Sequence, residues 1–241
     1  MPVALITGGT TGIGRATAEL LHARGYRVAV TGQNPDSLAR ASRELPDDVL
    51  VVRSDARVLT DADAVVATVA EHLGPIDVLF LNAGIFRLAP VADVTEESFD
   101  EHVDVNFKGQ YFTLQKALPL MNDGGSIVLT VGVGSRRGSP GAALGAATRG
   151  ALLAMLPSLA LELAPRRIRV NAVSPGATDT PLFDKLGVPE SGRAAMRASI
   201  PFERFGSSQE VAEAVAFLAS DAASYVTGQD LAVAGGYGLR A

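Results

Sequence analysis

The sequence predicts a single doubly wound α/β domain with a mainly parallel sheet, and three observations carry that prediction. Short apolar runs rich in Val, Ile and Leu recur along the chain, helix-like segments separate them, and the first run ends in a glycine-rich turn. Runs that are apolar almost throughout suit strands covered on both faces, which is the condition of a parallel sheet between two helical layers.

The predicted strands are Val3 to Thr7, Arg27 to Thr31, Val49 to Arg53, Val78 to Leu81, Ser126 to Val131 and Arg169 to Val173. Among the segments between and after them, Gly14 to Arg24, Asp61 to His72 and Glu210 to Ser220 read as helices. No repeat, low-complexity tract or linker interrupts the alternation, so residues 1–241 are expected to form one domain. The stretch that departs from it, Pro181 to Phe205, spreads Pro181, Gly187, Pro189, Gly192 and Pro201 among charged and apolar residues and is expected to be a substrate lid.

Composition excludes several functions. With 241 residues, 47% hydrophobic and 20% charged, the chain is long enough to bury one large core. A formal net charge of −5 argues against a nucleic-acid surface. There is no cysteine for disulfides or thiolate chemistry, and no His/Asp/Glu cluster for a metal. The apolar start VALIT is too short for a signal segment or a membrane span. The chain is expected to be cytoplasmic.

The turn TGGTTGIG places Gly8, Thr10, Thr11, Gly12, Ile13 and Gly14 between the first strand and the first helix. Glycine lets a backbone approach a pyrophosphate, and a helix N-terminus offers free N–H groups and the positive end of its dipole. This Rossmann-type arrangement is a weak signal alone and a stronger one at the first strand of a βαβ unit. Further motifs follow in order: Asp55-Ala56, Asn82-Ala83-Gly84, Val105-Asn106, Pro175-Gly176, Thr178 and Thr180 in PGATDT, then Val226-Thr227-Gly228 and Gly235-Gly236. With these in register, the chain resembles the short-chain dehydrogenase/reductase family, in its usual classical type, over essentially its whole length.

The resemblance implies that Asp55 and Ala56 border an adenine, that Asn82, Ala83 and Gly84 form the ribose and phosphate floor, and that Thr178 and Thr180 hold the nicotinamide carboxamide and the pyrophosphate. At the end of the second strand Gly32 removes the acid that would repel a 2′-phosphate, and Gln33 stands where NADP-preferring relatives often carry Arg. NADP(H) is therefore slightly favoured over NAD(H). The family also implies a homodimer or homotetramer.

The same resemblance implies a catalytic Ser, Tyr and Lys, and at those positions this chain has Gly132, Gly145 and Arg149. Asn106, the family's supporting Asn, is kept. Arg149 is expected to hold the cofactor ribose. Ordinary ketone reduction should be weak, because a positioned general acid contributes roughly 10²- to 10⁴-fold. No substitute acid stands out: Ser135, Ser139 and Thr148 are poor acids off the expected spacing, Tyr111 is expected to pack on the sheet, and His22, His72 and His102 lie in helical segments, His102 as a surface or satisfied residue. Two glycines facing one substrate pocket should widen it. Pro157 should bend the helix that carries Arg149.

Three functions remain open from sequence. The first is an atypical NAD(P)(H)-dependent oxidoreductase that reduces a bulky imine, iminium or conjugated C=C. The second is a catalytically silent NAD(P)-binding protein, regulatory or partnered with an active relative. The third is a non-redox isomerase or cyclase on the same fold.

Overall fold

In the computed structural model, which describes residues 1–185 and 187–239, strands and helices alternate as the apolar runs demand. Leu186, within the expected lid, and Arg240 and Ala241, at the end of the expected domain, lie outside the described residues. The strands are β1 (Val3–Ile6), β2 (Arg27–Gly32), β3 (Leu50–Arg53), β4 (Ile76–Leu81), β5 (Met121–Thr130), β6 (Arg169–Pro175), β7 (Thr178–Asp179), β8 (Gly206–Ser207) and β9 (Asp230–Val233). The helices are α1 (Gly12–Ala23), α2 (Pro35–Glu44), α3 (Leu59–His72), α4 (Glu96–Val103), α5 (Gly109–Ala117), α6 (Ala143–Leu163), α7 (Leu182–Lys185), α8 (Glu190–Ala198) and α9 (Ser208–Ala219).

Seven strands form one sheet in the order β3-β2-β1-β4-β5-β6-β9, and every pairing in it is parallel. The chain winds outward from β1 in one direction and then the other, so the topological switch point lies between β1 and β4. Clefts form there, beyond the carboxyl ends of the strands. Each strand alternates its side chains between two apolar clusters on opposite faces of the same sheet. Leu5, Leu79, Ile127 and Leu129 meet Val65, Leu114, Leu152 and Leu156 of α3, α5 and α6. Ile6, Phe80, Val128 and Val173 meet Ala18, Leu21, Val211 and Val215 of α1 and α9.

β9 closes the sheet from a tail that sequence marks only as a motif, with Ala172 to Pro175 opposite Asp230 to Val233. α6 continues across Pro157 and is anchored by Leu152, Leu156, Ala160 and Leu163. Burial of this apolar stripe compensates for the hydrogen bond that proline removes. Residues 181–205 contain α7 and α8, and they fold back through Phe183 stacked on Phe205 with ring centroids 4.8 Å apart. β7 and β8 join the ends of this segment.

Candidate active site at the carboxyl ends of the strands

The turn after β1 brings its backbone to the cleft at Gly8 and Gly12. Gly8 and Gly12 have φ of +63° and +54°, in the left-handed region. Gly14 is needed for closeness instead: a Cβ there would lie 2.3 Å from Gly8 O and 2.7 Å from Asn82 Nδ2. α1 therefore starts directly on the turn, with its N-terminal N–H groups at the cleft.

Thr7 and Asn82 join this turn to the end of β4. Thr7 Oγ1 accepts from Asn82 N at 2.9 Å and from Ala83 N at 3.0 Å, while Asn82 Nδ2 donates to the Thr7 and Gly8 carbonyls, each at 3.2 Å. Thr130, at the end of β5, donates to Asn82 Oδ1 at 3.1 Å. Three strand ends are thereby fixed relative to one another before any ligand arrives.

A cavity of about 570 Å³ runs along these strand ends. Of the residues expected at a cofactor, all but Gly14, Pro175, Gly176 and Thr178 line it. Pro175 and Gly176 lie at the end of β6, where Gly176 N donates to Val233 O at 3.0 Å, and Thr178 Oγ1 donates to Gly176 O at 3.1 Å. Thr180, Pro181 and Leu182 line it at the start of the expected lid.

At one end of the cavity the choice of residue 32 has a steric reason. A Cβ on Gly32 would stand 2.8 Å from Thr10 Cγ2, so any side chain there, acidic or basic, would have to displace Thr10. Thr10 Oγ1 in turn lies 3.2 Å from Ser37 Oγ, and Asn34 caps α2 by accepting from Ser37 N at 2.9 Å. Two arginines that sequence reading passed over stand at this corner. Arg40 lines the cleft and makes no ion pair among the described residues. Arg57 grips Asp55 through its backbone N–H, Nε and Nη2, and Nη2 also reaches Gln33 Oε1 at 3.5 Å. The Arg57 hydrogen bonds hold the Asp55 carboxyl below its ordinary pKa, despite its burial. Arg15 points elsewhere, to Glu19 at 2.8 Å and Glu44 at 2.5 Å.

At the other end stands Arg149, one turn into α6. Nη1 donates to Thr130 O at 2.8 Å and Nη2 to Ala83 O at 3.4 Å. The guanidinium crosses Gly84 so closely that a Cβ there would fall 1.6 Å from Nη2. Desolvation lowers the Arg149 pKa to about 10, which still leaves it a cation at neutral pH. Two of its donors are taken by the Thr130 and Ala83 carbonyls, which fix the guanidinium in place.

Asn106 is fully buried in a wide π-helical turn, Asp104–Lys108, and its amide is engaged on both sides. Oδ1 accepts from Ile85 N at 2.8 Å, and Nδ2 donates to Ile85 O at 3.0 Å and Thr148 Oγ1 at 3.1 Å. It clamps the segment after Gly84 against α6. Thr148 also donates toward Leu144 O and Gly145 O, at 3.1 and 3.2 Å, which occupies its hydroxyl.

The expected widening of the pocket at Gly145 is not found. A Cβ on Gly145 would lie 2.8 Å from Phe86 Cδ2 and 2.9 Å from Phe86 Cε2, so an aromatic ring fills the space in front of that glycine. Neither Gly132 nor Gly145 is among the residues lining the cavity. Gly132 has φ of +117° and ψ of 142°, a region that side-chain-bearing residues rarely enter, and among the described residues the atom nearest its Cβ position, its chain neighbours aside, is Pro175 O at 3.9 Å.

Two further expectations are corrected. Tyr111 is 42% exposed and packs edge-on against Phe112, not on the sheet. His102 is buried: its Nδ1, 2.7 Å from Ser98 O, carries the proton because a carbonyl only accepts, and its Nε2 has no partner. His22 and His72 sit on outer helix faces, beside Asp48 and Thr68 O. The hydroxyl of Ser135 is buried without a partner among the described residues.

A glycine turn feeding a helix at the switch point of a parallel sheet, continuous with a cleft to Arg149, defines a dinucleotide-binding α/β protein. Residues 8–238 match the family described as enoyl-(acyl carrier protein) reductase. The chain belongs to the short-chain dehydrogenase/reductase family of NAD(P)-dependent oxidoreductases. It is 42% identical to a 3-oxoacyl-[acyl-carrier-protein] reductase of Thermotoga maritima, over 97% of this chain and 96% of that one. It is 40% identical to a cis-4-hydroxycyclohexanecarboxylate dehydrogenase of Sinomonas cyclohexanicum, over 98% and 96%. Among solved structures, a 3-ketoacyl-(acyl-carrier-protein) reductase of Brucella melitensis complexed with NADH superposes with a TM-score of 0.92 at 34% identity, covering 99% of this chain and 98% of that one. A blue fluorescent protein from a metagenomic library, in complex with NADPH, gives 0.91 at 33% identity, covering 98% and 97%.

Proposed function

We propose that this protein is an NADP(H)-dependent oxidoreductase whose hydride acceptor needs no proton from the enzyme at the moment of transfer, an iminium (an imine already protonated in solution) or a conjugated C=C. The observation that carries it is the filling of the tyrosine position, Gly145, by the apolar ring of Phe86 beside a kept cofactor cleft.

The cleft fits the cofactor: the backbone turn at Gly8 to Gly14 suits a pyrophosphate, the Asp55-Ala56 corner a base, and Arg149 a ribose diol. When bound, the nicotinamide supplies a hydride. The chain then has to orient the acceptor. Arg149 would hold the ribose through donors that stay protonated, and the Phe86 ring fills the space before Gly145 where an acid would stand. An iminium carbon that takes a hydride sends its π electrons to nitrogen and becomes a neutral amine, so no proton moves. A conjugated C=C takes its proton from solvent at the neighbouring carbon. A ketone leaves an alkoxide, and no tyrosine stands at residue 145 to protonate it.

Preference for NADP(H) is supported by Arg40 and Arg57 around Gln33 and by the absence of an acid at residue 32. A homodimer or homotetramer is supported by apolar side chains left exposed on consecutive helices, Phe99, Tyr111 and Leu161.

The test is NADPH consumption against a panel of cyclic imines, enones and ketones. Turnover is expected with imines or enones and at least about 100-fold less with ketones of similar size. Full NADPH binding with no consumption in any class overturns the proposal in favour of a silent binding protein. Conversion of a ligand without cofactor would instead indicate isomerase or cyclase chemistry.

A further inference from the structure

We propose that Glu101 is a positioning residue for the Phe86 ring: standing between Arg87 and Arg57, it keeps that ring in front of Gly145 and so sets how bulky an acceptor the site admits. The effect on acceptors rests on the oxidoreductase reading above, whereas the effect on the ring does not.

Phe86 lies in a stretch without helix or strand, so its place depends on what holds its neighbours. One helical run holds both of them. Asn106, in the π-helical turn after α4, takes the backbone N–H and C=O of Ile85. Glu101, in α4, takes the side chain of Arg87 through Oε2. Further along the stretch, Ala89 N donates to Gly141 O at 3.0 Å.

An exposed ion pair is worth little alone, and Arg87 is 54% exposed. A second cation gives Glu101 its weight. Its Oε1 faces Arg57 Nη1 at 4.0 Å, so one carboxylate stands between two guanidinium groups. Without that charge the two arginines repel each other. Arg57 is tied to Asp55 through its backbone N–H, Nε and Nη2. Arg87 has no other side-chain partner among the described residues. Arg87 is therefore the one that moves, and Phe86, bonded to it, leaves the space before Gly145.

The position of the ring can be read at Gly145 itself. A Cβ there meets Phe86 Cδ2 at 2.8 Å, so Gly145→Ala is expected to lower the thermal-unfolding midpoint of the unmodified protein. In Glu101→Gln, which keeps the shape and removes the charge, the same change should cost at least about 2 °C less. Neutralising the second partner, Arg87→Gln with Glu101→Gln, should bring the full cost back. So should 1 M salt for Glu101→Gln alone, since it shortens the screening length to about 3 Å. An equal cost of Gly145→Ala in every background overturns the proposal. A cost that stays low once Arg87 is neutralised also overturns it, because Glu101 would then act only as a support of α4.

The acceptor effect is read from NADPH consumption with 2-cyclohexenone and its 3-phenyl derivative. The ratio of kcat/KM for the bulky over the small enone should rise about 5-fold in Glu101→Gln and fall back in the double variant. An unchanged ratio overturns the role in acceptor choice. No consumption with any acceptor of the panel above removes the oxidoreductase reading instead, and the thermal comparison still decides whether Glu101 places the ring.

Discussion

Phe86 and Gly145 occupy one volume between them: the ring of Phe86 stands 2.8 Å from the point where a side chain on Gly145 would begin. Phe86 follows the end of β4 and Gly145 lies in the first turn of α6, so the exchange joins two distant parts of the chain. It changes what restoration of the family's acid requires. Gly145→Tyr alone meets the Phe86 ring, and Gly132→Ser forces a side chain onto a backbone at φ +117°, at a cost of about 1–3 kcal/mol. Installing Gly132→Ser, Gly145→Tyr and Arg149→Lys together is therefore expected to give little ketone reduction. Adding Phe86→Ala should raise it by at least about 10-fold, provided the variant folds and binds NADPH. Equal ketone rates with and without Phe86→Ala would show that the ring does not bar the tyrosine.

Cofactor binding should be separable from folding at Gly12. The nearest atom to a Cβ there is Thr180 Cγ2 at 3.5 Å, an ordinary contact, and φ of +54° is within reach of Asp. Gly12→Asp is thus expected to stay folded while placing a carboxylate where the turn must meet pyrophosphate. NADPH affinity should fall by at least about 100-fold, from charge repulsion added to steric exclusion. Unchanged affinity with an unchanged circular dichroism spectrum would remove this turn from the cofactor site.

The sheet was legible in the sequence because strands buried on both faces write themselves as continuous Val, Ile and Leu runs, and six of its seven strands lie within a few residues of those runs. β9 was less so, since Leu231 is 37% exposed and DLAV carries a charge. The glycine turn was legible because backbone geometry demands glycine locally. Phe86, Arg40 and Arg57 were not, as each acquires its role only when folding brings it against another segment. Arg57 had a faint signal, two residues beyond Asp55 in the same turn. Phe86 had none, standing in an irregular stretch with no periodicity. The expectation of a wide pocket failed for that reason: volume removed at Gly145 was returned from elsewhere in the chain.

Arg149 should leave a signature in the pH dependence of stability. Its proton is held at an ordinary arginine's pKa when exposed in the unfolded chain and only to about 10 in the fold, where burial disfavours the charge. Between those values the unfolded state binds more protons, so this group's contribution to folding stability rises with pH. Below pH 10 the full penalty is present, up to ~3 kcal/mol and partly offset by the Thr130 and Ala83 carbonyls. Denaturant unfolding at pH 8 and pH 11 should show Arg149→Met losing ground to the unmodified protein as pH rises. Parallel pH profiles would mean that the guanidinium is better solvated than its contacts imply.

The segment between Gly132 and α6 should depend on one ion pair for its attachment to the sheet edge. Asp230 opens β9 with a side chain only 2% exposed, and Arg136 Nη2 reaches its Oδ2 at 2.9 Å from the segment that follows Gly132. Arg137 lies over the Tyr237 ring at 4.0 Å and adds a second contact to the same tail. Arg136→Ala leaves a buried carboxylate without its counter-charge. Because Arg136 is itself 60% exposed, solvent screens the pair and the loss is expected near ~1–3 kcal/mol, below that of a fully buried pair. Replacing both partners, Arg136→Ala with Asp230→Thr, should recover most of it, since no unpaired charge then remains. A double variant as unstable as Arg136→Ala alone would show that the arginine acts through its packing on the tail and not through Asp230.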